Sequence, residues 1–294
     1  MPLVLAGVVG AVGCTAVPAP EAPAPGPRAE VTVPTNAAPR ALPPGSFTTA
    51  GEPTQGGWLR GTAPVGTVQL ALDGKPVPLG ANGSFLIAFD RDAGPVATLV
   101  ATRNDGSRVT QPLQVSKRAW RIEHINAPRR PGGATEDFMA IRQPELDAIA
   151  AARAEDTGAQ GWRQKFVWPV KARISGLFGS QRIYRGEPGA YHSGIDLAPG
   201  AGATYVSPAD GVVVLAVQGY SLEGNLLIID HGMGLNSAFL HSQTLLVKKG
   251  DRVTQGQPIG LVGMSGRATG PHLHWSLKWQ DARLDPLLFT GPQD

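Results

Sequence analysis

Two short motifs in the second half of the chain place metal-binding side chains at close spacing. In Y-H-S-G-I-D, His192 and Asp196 are four residues apart, and in G-P-H-L-H-W, His272 and His274 are two apart. Both spacings are even, and an even spacing in an extended strand directs two side chains to the same face. We therefore expect each pair to face one site, with His241 at the end of another strand between the two motifs in sequence.

Imidazole and carboxylate groups of this kind form the donor set of a catalytic zinc site. Two imidazoles and one carboxylate around Zn²⁺ leave a fourth tetrahedral position for water, which ionises at about pH 7 when bound there. Two further histidines near the ion could act as general base and as stabiliser of a developing oxyanion. The remaining histidines, His124 and His231, are assigned to structural positions, and the D-H-G sequence around His231 predicts a turn.

Other catalytic chemistries lack the residues they need. The sequence has no H-E-x-x-H motif, no G-x-x-x-x-G-K-[S/T] loop and no G-x-S-x-G motif. Its single cysteine, Cys14, excludes an intrachain disulfide framework and a thiolate zinc site. The 26 Lys and Arg residues exceed the 23 Asp and Glu residues by only 3, and they are dispersed. We therefore expect no nucleic-acid partner.

The elements that position the candidate site are predicted to be strands. The 294 residues include 38 glycines and 27 prolines, a composition that argues against a helix-dominated architecture. Strand-like runs recur from residue 166 to the end of the chain, and this region contains five of the six histidines. The sequence therefore predicts a mainly β protein whose chemistry lies in a C-terminal domain at residues 166–294.

A separate small β-sandwich is predicted at residues 46–117, where apolar residues alternate and turn sequences recur. Asp73-Gly74 and Asn82-Gly83 are typical hairpin dipeptides, and Asn104-Asp105-Gly106 predicts a third turn. This region resembles bacterial immunoglobulin-like modules. It has no cluster of titratable residues, so we expect it to act in spacing or binding. Residues 118–165 are interpreted as a connector with one short helix that begins at Pro144.

The amino terminus resembles a bacterial lipoprotein signal at residues 1–14, except that no Lys or Arg precedes its apolar run. Its apolar run is too short to span a bilayer as a helix, and A-V-G-C ending at Cys14 resembles the lipobox, in which the cysteine is lipidated. The alternative interpretation is an apolar tail with an incidental cysteine. Residues 15–45 contain nine prolines and eight alanines, which predicts a semi-rigid tether.

Taken in order, the C-terminal motifs resemble the lysostaphin-type (LytM-like) zinc metallopeptidases over about residues 166–290. The resemblance rests on H-S-G-I-D at 192–196, D-H-G at 230–232, F-L-H at 239–241, G-D to G-Q-P-I-G at 250–260, and T-G-P-H-L-H at 269–274. One H-x-H motif is weak support, whereas five motifs in the right order are strong support. Phe239 and Ser265 depart from the tyrosine and threonine common in the family.

The resemblance implies a role for each of five residues. His192, Asp196 and His274 would be zinc ligands, while His241 and His272 would be catalytic histidines that do not bind the metal. The resemblance also implies an open antiparallel β domain with a narrow groove that cleaves peptidoglycan cross-links. Some relatives have lost ligands and activate cell-wall amidases, so the presence of all five residues favours a working enzyme.

The sequence is therefore interpreted as an exported zinc endopeptidase of the periplasm or cell envelope. Its expected partners are the peptide stems of peptidoglycan and, through lipid on Cys14, a membrane. The alternative is a non-catalytic cell-wall-binding or amidase-activating protein with a vestigial metal site.

Overall fold

The computed structural model describes residues 45–128 and 135–293. The signal segment, the lipidation candidate Cys14 and all but the last residue of the tether lie outside these residues. The described residues belong to one compact unit. Among the described residues, no helix has the length and apolar character needed to cross a bilayer.

Seven strands build the first region as two small antiparallel sheets. They are β1 (Thr48–Glu52), β2 (Trp58–Thr62), β3 (Thr67–Leu72), β4 (Lys75–Val77), β5 (Ser84–Ala88), β6 (Val96–Arg103) and β7 (Arg108–Gln114). The strand orders are β1-β2-β5 and β4-β3-β6-β7. Apolar residues of both sheets belong to one buried core. The mainly β prediction is confirmed, and the immunoglobulin-like classification stays a prediction.

Two of the three predicted turns in this region join paired strands. Asp73-Gly74 links β3 to β4, and the turn at 104–106 links β6 to β7. The hairpin prediction for Asn82-Gly83 is wrong, because this turn carries the chain from β4 in one sheet to β5 in the other. Every residue of β5 is buried, and the strand pairs with β2 and not with β4.

The connector contains a longer helix than the sequence analysis expected. Its elements are β8 (Ile122–Ile125), α1 (Glu136–Ala154) and a 3₁₀ turn (Gly161–Arg163). The prediction of a short helix starting at Pro144 is wrong, since Pro144 lies inside α1. Thr135 caps the helix instead, and its Oγ1 accepts a hydrogen bond from the Phe138 N–H at 3.2 Å. This cap and the acidic first turn begin the helix well before the proline.

The C-terminal region is dominated by one large antiparallel sheet. Its elements are β9 (Ile174–Gly176), β10 (Gln181–Tyr184), β11 (Glu187–Pro188), β12 (Ile195–Leu197), β13 (Thr204–Val206), β14 (Gly211–Tyr220), β15 (Gly224–Gly232), β16 (Leu235–Leu240), β17 (Thr244–Leu245), β18 (Arg252–Val253), β19 (Pro258–Leu261), β20 (Leu273–Trp279), β21 (Ala282–Leu284) and α2 (Leu287–Thr290). The sheet runs β18-β14-β15-β16-β20-β12-β9, with β21 beside β20. The expected open antiparallel domain is confirmed.

The first region packs directly against the C-terminal region. The Trp58 ring lies 5.2 Å from that of Phe289, and the Trp58 indole N–H donates to the Leu288 carbonyl at 3.0 Å. At the start of the connector, Arg118 pairs with the buried Asp285 carboxylate at 2.8 Å. Both regions contribute to one buried core. The region at 46–117 is therefore more than a loosely attached spacer, and the proposed domain boundaries stay a prediction.

Candidate metal centre and groove

The pairing of β12 with β20 brings two of the candidate ligands together. Asp196 lies directly opposite His274 in this antiparallel pair, although the two are 78 positions apart in sequence. His192 lies in the loop before β12, where its N–H donates to the Ser180 carbonyl at 2.8 Å. The expectation that strand periodicity aligns His192 with Asp196 is therefore wrong. The loop, and not the strand, brings this histidine to the site.

The three side chains converge on one point. His192 Nε2 lies 3.1 Å from Asp196 Oδ1 and 3.0 Å from His274 Nδ1. His274 Nδ1 lies 2.9 Å from the same carboxylate oxygen. Ligands of a tetrahedral zinc ion lie about 3.3 Å apart when each metal–ligand bond is about 2.0–2.1 Å. Two imidazoles and one carboxylate at these separations fit a zinc ion with one position open.

Two glycines leave room for this cluster. A Cβ at Gly176 of β9 would lie 2.3 Å from Asp196 Oδ2, and a Cβ at Gly194 would lie 2.8 Å from His274 Nε2. Distances this short require the ligand side chains to move. The cluster therefore depends on glycine at both positions.

The surroundings of the three groups favour the charged form of the Asp196 carboxylate. Burial opposes ionisation of Asp196, but hydrogen bonds from His192 and His274 hold its pKa well below the usual range. Burial lowers the pKa of His274. His192 Nδ1 donates to the Leu177 carbonyl at 3.1 Å, which leaves Nε2 as the donor atom for a metal.

The other two candidate histidines lie beside the cluster, with their rings 4.9 Å apart. His272 Nδ1 donates to the Gly270 carbonyl and His241 Nδ1 donates to the Ser265 carbonyl, both at 2.8 Å. A carbonyl only accepts, so each neutral ring carries its proton on Nδ1 and a lone pair on Nε2. His272 Nε2 lies 3.7 Å from Asp196 Oδ1, at the edge of the metal cluster.

His241 is held in an unusual backbone conformation directly after β16. Its φ is +65°, in the left-handed region that non-glycine residues rarely adopt. Its N–H donates to the Glu223 carbonyl at 2.9 Å. The side chain is buried, and burial lowers the pKa of its imidazole. Backbone strain of this kind is common at functional sites, where surrounding contacts maintain it.

A groove of about 1090 Å³ leads to His192 and Asp196. Its walls include residues of the β9 and β10 regions, together with the start of the connector. Three exposed arginines, Arg121, Arg182 and Arg267, line it. The expected groove is therefore present. Glu123 also lines it and pairs with Arg182 at 2.8 Å, so Arg121 and Arg267 supply the positive charge that the groove offers to a ligand.

His231 is the one histidine of the C-terminal region that lies apart from this cluster. It belongs to β15 and is completely buried, so the prediction of a turn position is wrong. Its Nδ1 donates to the Asp210 carbonyl, and its Nε2 accepts from the Ser237 hydroxyl, both at 2.8 Å. These two bonds satisfy a neutral imidazole in the core. Burial lowers its pKa to about 4.

This lowered pKa predicts a pH-dependent stability. Between about pH 4 and 6.5 the unfolded chain protonates this imidazole while the folded chain does not. The free energy of unfolding should therefore fall as the pH is lowered, by up to about 1.4 kcal/mol per pH unit from this group. Chemical unfolding of the chelator-treated protein should show a shallower pH slope for His231→Asn. An unchanged slope would contradict the prediction.

The groups that orient the five candidate residues could not be identified from the sequence. The carbonyls of Leu177, Ser265 and Gly270 hold three of the rings. Backbone carbonyls leave no mark on a sequence, and Gly176 stands out only once its distance to Asp196 is known. Phe239, which replaces the usual tyrosine, is fully buried and stacks on Tyr205 at 5.4 Å.

Comparisons with known proteins agree with this geometry. Residues 190–286 match Peptidase family M23. The chain is 40% identical over 115 residues to the peptidoglycan DD-endopeptidase ShyA of Vibrio cholerae, over 39% of this chain and 26% of ShyA. It is 32% identical over 128 residues to the murein hydrolase activator NlpD of Escherichia coli, over 44% of this chain and 31% of NlpD. The chain thus spans less than a third of either relative.

The structural similarity extends further along the chain. A crystal structure from Pseudomonas aeruginosa, described as that of a candidate M23 peptidase, superposes with a TM-score of 0.62 at 26% identity. The match covers 82% of this chain and 96% of that protein. It therefore includes much of the chain outside residues 190–286. The segment at residues 190–286 therefore matches Peptidase family M23, and the fold of the chain is similar to that of a candidate M23 peptidase.

Proposed function

We propose that this protein is a zinc endopeptidase that hydrolyses peptide cross-links in peptidoglycan. The observation that carries the proposal is the convergence of His192, Asp196 and His274 within hydrogen-bond distance of one another at the end of a groove. Two further histidines with free Nε2 lone pairs stand beside this cluster. A metal, a water position and a base are the parts that hydrolysis without a nucleophilic side chain requires.

His192, Asp196 and His274 would hold the zinc ion. When bound, zinc supplies a Lewis acid for the scissile carbonyl and lowers the pKa of a bound water. The single carboxylate among the ligands leaves the site with net positive charge, which favours an anionic transition state.

His272 is the proposed general base. Its Nδ1–H is committed to the Gly270 carbonyl, so its Nε2 accepts a proton from water and later returns it to the leaving amine. His241 is proposed to stabilise the developing oxyanion. Because its Nδ1–H is bonded to Ser265, it can donate to an oxyanion only as the imidazolium. Burial disfavours that form in the resting site, and the negative charge of an oxyanion beside Nε2 would favour it.

The proposed substrate is the cross-linked peptide of peptidoglycan. ShyA is named a peptidoglycan DD-endopeptidase, and it shares 40% identity with the catalytic segment. We therefore propose that the peptide bond cleaved joins two stereocentres of D configuration. Arg121 and Arg267, the two groove arginines that form no ion pair among the described residues, agree with peptide stems that carry free carboxylates, since guanidinium groups bind carboxylates well.

We further propose that the protein acts in the cell envelope and is attached there by lipid on Cys14. An apolar run before this cysteine and a proline-rich segment after it support the proposal. Intact-mass analysis of the native protein would test it. An unmodified Cys14 with its preceding residues still attached would contradict lipidation.

The decisive experiment is digestion of purified cross-linked muropeptides, followed by mass spectrometry. The zinc-loaded protein should convert dimers to monomers, the chelated protein should not, and added zinc should restore cleavage. Cleavage elsewhere than the cross-link would change the proposed specificity. Failure to cleave with zinc bound, combined with stimulation of a cell-wall amidase, would favour the non-catalytic alternative, which the NlpD similarity makes worth testing.

A further inference from the structure

A buried ionic network joins α1 of the connector to the turn between β14 and β15. Arg142 and Glu145 of α1 are each 8% exposed. The guanidinium of Arg142 binds both carboxylate oxygens of Glu223, at 2.6 and 2.7 Å, and contacts Glu145 at 2.8 Å. The carboxylate of Glu145 accepts from the Ser221 N–H at 2.7 Å and from its hydroxyl at 2.6 Å.

These contacts hold the turn from two sides. Arg142 binds Glu223 and Glu145 binds Ser221, so α1 contacts both ends of the segment at residues 221–223. Buried charges are costly to desolvate, and a fully paired network of this kind contributes more to a defined geometry than to net stability. The main effect of this network is therefore to fix the position of residues 221–223.

The same turn supports His241. The carbonyl of Glu223 accepts a hydrogen bond from the backbone N–H of His241 at 2.9 Å. His241 is the residue with the left-handed φ of +65°. The neighbouring Leu222 carbonyl accepts the Arg267 N–H at 2.9 Å. A Cβ at Gly224 would lie 2.3 Å from the backbone of Ser265, so the turn also packs tightly on the loop that holds the His241 ring.

Ser265 completes the link from the turn to the imidazole. Its carbonyl accepts from His241 Nδ1 at 2.8 Å, and its hydroxyl accepts from the Asn225 N–H at 2.8 Å. Both the backbone and the ring of the histidine therefore depend on the position of residues 221–225. Displacement of a catalytic group by about 1 Å can cost about 100-fold in rate.

We propose that Arg142 is a positioning residue, which acts through Glu223 to fix the orientation and tautomer of His241. The inference rests on the proposed function for its effect on turnover, but not for its effect on the ring. It also assigns a role to α1, which lies outside the matched segment at 190–286. The connector is then part of the support of the active site.

The test compares Arg142→Met with Arg153→Met, a matched change on the same helix. Arg153 binds the Asn236 side chain of β16. Among the described residues it forms no hydrogen bond with residues 221–223, and its only interaction with Glu223 is a longer-range charge attraction. Both variants lose a guanidinium that docks α1, but only the first releases Glu223. For Arg142→Met we expect kcat on a muropeptide dimer to fall about 100-fold. The KM and zinc content of Arg142→Met should stay within about twofold of those of the unsubstituted protein. For Arg153→Met, the KM and zinc content should stay within the same range, and kcat should also change little.

The second readout is the ¹⁵N spectrum of the His241 ring in the zinc-loaded protein, which needs no turnover. The unsubstituted protein and Arg153→Met should show the Nδ1–H tautomer, and Arg142→Met a mixture. Arg142→Lys should recover part of the effect, since an ammonium can pair with Glu223 but cannot form the two-oxygen fork.

Three outcomes would overturn the proposal. One is an equal loss of kcat in the Met variants of both arginines, and another is an unchanged tautomer in Arg142→Met. The third is a normal kcat in folded Arg142→Met. If Arg142→Met does not fold, Arg142→Lys takes its place. A normal kcat together with a normal ring spectrum in Arg142→Lys would then overturn the proposal. Absence of hydrolysis by the unsubstituted protein would overturn the proposed function and leave the ring spectrum as the test of positioning.

Discussion

Replacing His192, Asp196 or His274 by alanine is expected to remove bound zinc and hydrolysis together. The three donor atoms lie 2.9–3.1 Å from one another, so each occupies one corner of the site and no neighbouring group can replace it without moving. Loss of a partner that only orients a ligand already costs about 10–100-fold in metal affinity. Loss of a ligand itself should exceed about 100-fold, and activity should fall with occupancy.

The measurement is zinc content after dialysis against a weak chelator, together with muropeptide cleavage at saturating zinc. The matched control is His124→Ala, which removes an exposed histidine of β8. It should keep zinc and activity. Stoichiometric zinc in both His192→Ala and His274→Ala would show that the metal site lies elsewhere.

A second test of the same cluster uses the space that glycine provides. Gly176→Ala should weaken zinc binding without removing any ligand, because the new Cβ would lie 2.3 Å from Asp196 Oδ2. Zinc should therefore be lost both when a ligand is removed and when the ligands keep their identity but Asp196 is displaced.

The grouping of the five candidate residues and the similarity to the M23 family could be predicted from the sequence because the motifs are short and local. H-S-G-I-D and T-G-P-H-L-H each place their functional residues within a few positions. Strand pairing then had to bring the two motifs together, and the opposite placement of Asp196 and His274 is a long-range result of the sheet. Even spacing predicted the right neighbours for His192, although a loop and not a strand delivers it.

What could not be predicted depends on packing between distant segments. His231 lies in a D-H-G sequence typical of a turn, yet the β15 pairing buries it in the core beside Phe166 at 4.9 Å. Pro144 was a reasonable helix start by local preference, but the cap at Thr135 lies earlier and prevails. The Arg142–Glu223 pair joins residues 81 positions apart, and nothing in either local sequence indicates it.

Replacing His272 or His241 by alanine should leave zinc in place and slow hydrolysis. Neither ring has a donor atom among the three that converge on the metal point, and each directs its Nδ1–H to a backbone carbonyl at 2.8 Å. Removal of a general base or an oxyanion group costs on the order of 10²-fold or more in rate. We expect that loss in kcat for each variant, with zinc content and KM nearly unchanged.

The two variants should differ in their response to an added base. A small base such as imidazole can enter the space left by His272→Ala and accept the proton of water, so it should recover part of the rate. Recovery should be weaker for His241→Ala, because a stabilising donor must be held in place to act and the His241 side chain is buried. Loss of zinc from His272→Ala would instead make it a ligand, and near-normal turnover in either variant would assign that histidine a structural role.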